Sequence, residues 1–335
     1  MRGWDYRTYW KGENLVRRFT FDSLEDYLAY LEGAQVQDAF AGGAASELGS
    51  AEFTGTDSLQ QAIELARYGW HEGFGKLVHL TETVKRAMDY SPQVHSTFHD
   101  YVGFAPDVKA YMEGSPLSMI NAPVVQKPHI SVYMNTSIDG FVDEADVYRR
   151  GAAVLAIAEV VEACGIMVDL HLFEMSFIDK DVMLAEFAVK ARDERVNLAK
   201  LHFPLCHPSW IRRLNFRLIE TMPNVTQAWA GSYGIPAERR MMESVLELAE
   251  GDVLVPTLDE MKKSCQGAFA FDTSDAKAGL VGNANGQGAS LDASRRKTHP
   301  AGSEEAEVVA VARLIADAIN PALPDDKKLA FKARS

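Results

Sequence analysis

Cysteine is scarce in this chain, and so are the signatures of the common catalytic folds. The three cysteines, Cys164, Cys206 and Cys265, include no C-x-x-C pair. An odd number without paired spacing argues against a disulfide framework and fits a reducing compartment. No stretch approaches the roughly 18 apolar residues of a membrane span. The segment Met1–Phe19 has no apolar h-region, so no secretory leader is expected and a cytoplasmic location is. Cations are outnumbered, with 34 Lys and Arg against 47 Asp and Glu and a net charge of −13. This balance disfavours general binding along a nucleic-acid backbone, which depends on cation–phosphate contacts. There is no G-x-S-x-G elbow and no G-x-G-x-x-G after a strand. The run Gly282-Asn-Ala-Asn-Gly286-Gln-Gly288 joins no strand to a helix and lacks a following Lys-Ser/Thr, so it is not a P-loop.

What is present is ordinary globular material: 335 residues, 47% hydrophobic and 24% charged, enough for one large or two modest domains. Residues 1–125 read as a helical and irregular region. Asp22 with Glu25, and Asp57 with Gln60, have the spacing of capping boxes and predict helices to about Glu32 and Tyr68. A third helix is predicted over Lys76–Met88. From 126 to 262 strands and helices alternate: a strand at 129–134, a helix at 146–164 and a strand at 165–173. A helix at 180–192 behind Asp179, a strand at 196–203, helices from Pro208 and Pro236, and a strand at 252–256 follow. Such alternation predicts an α/β fold with a doubly wound, mostly parallel sheet. The uncharged stretch 151–158 predicts a helix buried all round. Residues 263–303 read as a flexible loop, and 304–335 as a closing helix and tail. Five Arg-Arg pairs, at 17–18, 149–150, 212–213, 239–240 and 295–296, read as solvated helix ends more than a patch, with a local anion site built from one of them as the alternative.

The strand His129–Met134 runs into Asn135-Thr136-Ser137-Ile138-Asp139-Gly140, with oxygen-bearing side chains at alternate positions. Open α/β sheets bind ligands at such strand ends. Hard divalent cations take oxygen ligands, so Ser137 and Asp139, joined by Asp259 after the strand at 252–256, could hold Mg²⁺. Asn135, Ser137, Asp139 and Asp259 together form the candidate ligand site. The competing reading is a turn, because Asn, Ser, Asp and Gly form turns through their own hydrogen bonds.

The order of strand, oxygen-rich loop, buried helix, strand, and a later strand leading to an acid resembles von Willebrand factor A domains. In that family a D-x-S-x-S loop, a distant Thr and an Asp after the fourth strand hold a metal. Here the loop reads N-x-S-x-D, as Asn135, Ser137 and Asp139, and only Thr221 and Thr226 lie in the region of the Thr. The resemblance implies a degenerate metal-adhesion site. Three longer segments are similar to uncharacterised bacteriophage and actinobacterial proteins: Ser58–Trp70, Asp107–Pro116, and Arg150–Ala158 with Val168–Leu170. This similarity implies a phage or prophage origin and a bacterial host cytoplasm.

Other constellations are thinner. His95-Ser96-Thr97 and His129-Ile130-Ser131 fit H-x-[S/T], the pattern of two-histidine phosphoesterases. His202, Cys206 and His207, with His171, offer zinc-type ligands, although Cys206 between two prolines also reads as a small buried hydrophobe. His99-Asp100 lacks a second acidic motif. Three functions follow as expectations. The first is a phage-encoded, non-enzymatic protein-binding or assembly protein, with or without Mg²⁺. The others are a metal- or histidine-dependent phosphoester hydrolase and a virion structural component.

Overall fold

The computed structural model describes residues 3–92, 98–103, 105–121, 127–138, 142–264 and 303–332. Asp139, His95, Cys265 and nearly all of the 263–303 segment lie outside the described residues.

The protein is α/β, with a seven-stranded main sheet. Its strands are β1 (Trp4–Lys11), β2 (Asn14–Phe21), β3 (His129–Asn135), β4 (Met167–Ile178), β5 (Asp181–Lys190), β6 (Ile235–Pro236) and β7 (Val253–Leu254). The spatial order is β1-β2-β5-β4-β3-β7, and β6 pairs with β4. The sheet is mixed, not mostly parallel. β2/β5, β3/β4 and β3/β7 are parallel, whereas β1/β2, β4/β5 and β4/β6 are antiparallel.

Two local features produce the mixed sheet. Asp179, read from sequence as a helix cap, has φ +53° and sits in the tight turn where Ile178 pairs with Asp181. A short polar residue tolerates this left-handed turn, which makes 181–190 the return strand of a hairpin instead of a helix. The opening residues are likewise not helical. Trp4–Lys11 turns at Gly12, φ +62°, and returns as Asn14–Phe21, which docks in parallel on β5. The segment expected as a strand at 196–203 is helix: Asn197 accepts from the Lys200 amide at 3.1 Å and caps it. An apolar run buried on all sides carries no period to separate the two conformations.

Among the described residues the α-helices of seven or more residues are α1 (Leu24–Gly33), α2 (Leu59–Tyr68), α3 (Phe74–Ala87), α4 (Glu144–Ala163), α5 (Leu198–Cys206), α6 (Arg239–Leu246), α7 (Leu258–Ser264) and α8 (Ser303–Ile319). Serines cap the first two, each one residue later than the sequence reading. Ser23 accepts from Asp26 N, and Ser58 accepts from Gln61 N while Gln61 Oε1 accepts from Asp57 N. No helix among the described residues is long and apolar enough to cross a membrane.

The two faces of the sheet are unequal. One carries a continuous core in which α4 packs on β3 and β4 and is covered by α3, α5 and α8. Residues 151–158 of α4 are all buried, as their lack of charge predicts. Gly151 lets α4 approach α5: a Cβ there would lie 2.3 Å from Leu205 O and 2.6 Å from Cys206 Sγ. The other face carries a smaller cluster under α6, including Phe173, Met175, Met242 and Val245.

Residues 98–121 form a separate small module. Its strands Phe98–Asp100, Met119–Asn121 and Ala105–Pro106 pair only with one another, around the short helix Val108–Met112. None of its described residues belongs to either core cluster.

Candidate functional site

The carboxyl end of β3 is a buried polar knot. Asn135 Oδ1 accepts the Ser137 amide at 2.9 Å, closing a tight turn. Ser137 Oγ lies 2.9 Å from Asn135 Oδ1 and 2.7 Å from Met175 O, and it accepts the Met175 amide at 2.9 Å. Asn135 Nδ2 points to Met242 Sδ at 3.3 Å. These bonds stitch the end of β3 to β4 beyond the last register pair, Asn135 with Phe173.

Thr136 faces a second group. Its amide donates to Phe173 O at 2.7 Å, and its Oγ1 is 3.3 Å from Glu174 Oε2. Asn215 Nδ2 donates to the same Glu174 oxygen at 2.7 Å and reaches Thr136 Oγ1 at 3.1 Å. Tyr27 OH donates to Asn215 Oδ1 at 2.9 Å. Glu174 is 4% exposed. Burial pushes its carboxyl up to about 7, although hydrogen bonds from Ser137, Asn215 and Thr136 oppose the shift. A carboxyl held near neutrality among hydroxyl and amide donors can store or release a proton. It is, however, closed off from solvent.

Arg150, on α4, completes the strand end. Its Nη1 donates to Asn135 O at 2.7 Å, while Nε and Nη2 have no partner among the described residues. Burial lowers its pKa to about 10. The expectation of solvated helix ends therefore fails for 149–150 and 212–213, all four of which are buried, and for 17–18, which lie on strand β2 with Arg17 buried. Arg149 bridges Asp146 and Glu307. Arg212 donates to Phe53 O and Val142 O. Arg213 donates to the carbonyls of Ser46, Glu47, Gly49 and Thr56. These arginines tie the 45–57 segment, α4 and α8 to the core.

Of the residues singled out from sequence, Asn135 and Ser137 come together. Asp259 is exposed in the first turn of α7 and forms no hydrogen bond with either of them. Its neighbour Glu260 turns inward to Arg239 and Thr257. As they stand, the described donors do not fit a hard divalent cation. The oxygens of Asn135 and Ser137 are already engaged, and neither described residue brings a carboxylate. Among the described residues no group of three or more His, Cys, Asp or Glu is placed to hold a metal.

The zinc constellation dissolves in the same way. His202 Nδ1 bonds Trp70 O at 2.9 Å and its Nε2 bonds Tyr148 OH at 3.1 Å. His207 Nδ1 accepts the Ser209 amide at 3.1 Å. Burial lowers the pKa of both imidazoles and raises that of the Cys206 thiol. His171 stacks on Tyr133, with ring centroids 4.7 Å apart. His129 is exposed at the opposite end of β3 from Asn135, and His99 pairs with Asp107 at 2.7 Å.

Sequence reasoning missed Glu174, and it singled out Arg150 only as one of the paired arginines, not as a buried group at the strand end. The signal for Glu174 was a single acid inside the apolar run Leu172-Phe173-Glu174-Met175, beyond the predicted strand end. For Arg150 it was an arginine placed directly before the uncharged stretch that demands full burial.

The geometry defines an α/β protein with a mixed sheet, whose strand end is a closed hydrogen-bonded structure. The chain belongs to the family of a domain of unknown function, DUF7192, whose model matches residues 11–269. Compared with curated proteins and with solved structures, it matches none.

Proposed function

We propose that this chain is a non-enzymatic protein-binding or assembly protein that engages its partner through the 98–121 module. One observation carries the reading. Tyr101, Val102, Val108, Tyr111 and Met112 are 71%, 75%, 68%, 71% and 78% exposed, all within one small unit. Exposed apolar side chains scattered singly are normal, but a cluster of aromatics and Met marks an interaction surface. The His99–Asp107 pair and the Asp107 cap on Ala110 N, at 3.1 Å, brace the helix that presents three of these side chains. A phage or prophage setting fits the segments similar to phage proteins, one of which, Asp107–Pro116, lies in this module.

A von Willebrand A-like core is supported by β3, α4 and β4 in succession, with β7 parallel on the other side of β3. The antiparallel β5 and the N-terminal hairpin depart from that plan. In this reading the strand end of Asn135 and Ser137 braces the sheet, and binding needs no resident Mg²⁺. The hydrolase alternative has no support from a converging nucleophile and base among the described residues.

The test is a variant, Val108→Ser/Tyr111→Ser/Met112→Ser. Wild type and variant are used to recover partners from the host lysate. The recovered protein is then purified and titrated against both chains, with sizing in parallel. The expected result is a defined complex with wild type, weakened at least tenfold by the variant at unchanged melting temperature. Equal affinity for both chains overturns the reading. A ring of wild-type chains lost in the variant would make the partner a second copy, as in a virion component.

A further inference from the structure

We infer that the outer edge of β1 is a self-pairing strand: two copies of this chain join their main sheets antiparallel through it, with Thr8 on the two-fold axis. This surface is distinct from the 98–121 module, and the inference does not rest on that module. Among the described residues β1 pairs only with β2, so one side of an eight-residue strand is open. The opposite edge of the sheet, β7, is only two residues long. Native edges are blunted by shortness, proline, bulges or charge. β1 contains no proline, and its register with β2 runs without a shift from Trp4 to Lys11. Its charges, Asp5, Arg7 and Lys11, are of mixed sign.

The hydrogen bonds at both ends of β2 show which backbone groups of β1 point outward. Leu15 faces Trp10 across the β1/β2 pair, yet its amide donates the other way, to Lys180 O at 2.8 Å just before β5. At the far end the Asp22 amide donates to Gly3 O at 2.9 Å. In an antiparallel ladder, pairs that exchange main-chain bonds alternate with pairs that do not. Asp5, Arg7, Tyr9 and Lys11 are therefore the residues bonded to β2, and Tyr6, Thr8 and Trp10 turn their N–H and C=O groups to the open side. Thr8 is exposed, and Trp10 is 68% exposed.

The side chains of β1 select a second copy as the occupant, in one register. With Thr8 facing Thr8, Tyr6 faces Trp10, Arg7 faces Tyr9 and Asp5 faces Lys11 of the second copy, each in both directions. Main-chain bonds then close at Thr8 and at both Tyr6–Trp10 pairs, which is how strand addition gains affinity. The flanking pairs set ring on ring, a guanidinium beside a ring, and an acid opposite an ammonium. Neighbouring registers are worse. Centring on Arg7 sets the two arginines face to face, and centring on Tyr9 sets Arg7 against Lys11. Centring on Tyr6 carries Trp10 and Lys11 past the start of the second strand at Trp4. Within one copy Asp5 pairs with Arg7 and Lys11 with Glu247, both solvent-exposed contacts of small worth that leave these groups available to the second copy. β1 carries one acid and two bases, so the overall charge of −13 does not set two acidic surfaces against each other here.

The experiment is sedimentation equilibrium of the full chain over a micromolar concentration series, with amide exchange measured at both ends of the series. The expected result is a reversible rise from 37.0 kDa to twice that mass, with protection gained at the Tyr6, Thr8 and Trp10 amides. A wild type that stays monomeric throughout overturns the inference. Thr8→Pro removes only an outward N–H and should weaken the dimer at least tenfold. Asp5→Lys alone and Lys11→Asp alone each set like charges opposite one another and should weaken it about tenfold. The two together should restore it, which decides the matter should Thr8→Pro not fold. A dimer equally strong in wild type and Thr8→Pro overturns the inference, as does a double charge variant no tighter than the single ones. Val108→Ser/Tyr111→Ser/Met112→Ser should dimerise like wild type, and a dimer lost in that variant lies on the module and overturns the assignment to β1.

Discussion

Residues 98–121 and the helix layer around α4 draw on similar apolar side chains and use them in opposite ways. Around α4, Val154, Leu155, Ile157 and Val161 are fully covered by strands and helices. In the module, Val108, Tyr111 and Met112 stand in solvent. The helix layer also spends charged groups internally, with Arg149, Arg150, Arg212 and Arg213 all buried. The module keeps its charges outside, as in the exposed Lys109–Glu113 pair. The difference separates stability from recognition. Burying a Val, Leu or Met side chain is worth about 1.5–3 kcal/mol, so the α4 layer holds the fold and the module contributes little to it.

Breaking the comparison on the core side should give the largest effect. Arg213→Met leaves four carbonyls without their donor in a closed interior. Loss of about 4 kcal/mol or more is expected in urea unfolding, with failure to fold as the limit. A loss below about 1 kcal/mol would show that water replaces the guanidinium.

The next effect depends on pH. The Glu174 carboxyl sits at about 7 when folded against an ordinary 4.5, so folding favours its protonated form. Its contribution is fully present below about pH 4.5 and is lost as pH rises through 7. The loss between pH 4 and 8 is on the order of 3 kcal/mol. Glu174→Gln should flatten that part of the stability–pH curve, and a curve identical to wild type would refute the assignment.

Gly151→Ala should cost about 2 kcal/mol, because the new methyl meets the Leu205 backbone and forces α4 and α5 apart. A neutral result would show that α5 moves freely. On the module side, Val108→Ser/Tyr111→Ser/Met112→Ser should change stability by less than about 0.5 kcal/mol. A loss comparable to that of Gly151→Ala would merge the module with the core and remove its claim to be a recognition surface.

Legibility in the sequence followed the strength of local signals. The helices at 24–33, 59–68, 74–87, 144–163 and 303–319 were visible through caps and amphipathic period, to within a few residues. The strand at 129–135 was visible through its alternation and its polar end. Strand 181–190 and helix 198–206 were exchanged because both are mostly buried and carry only scattered polar residues, which blurs the period that tells them apart. At the strand end, the alternation brings Asn135 and Ser137 into mutual hydrogen bonds. The distance of Asp259 from them, and the approach of Glu174 and Arg150, depend on contacts remote in sequence.

The sequence by itself determined the α/β class, the buried helix at 151–158, the strand end at Asn135, and the absence of any long apolar span. These follow from composition and short-range period, which a chain carries before it folds. Only the tertiary structure decided that the sheet is mixed, that five arginines lie inside, and that Glu174 shares a closed site with Thr136 and Asn215. Strand partners and the neutralisation of buried charges are settled by groups far apart in the chain, and they acquire their energies only when packing removes water from between them.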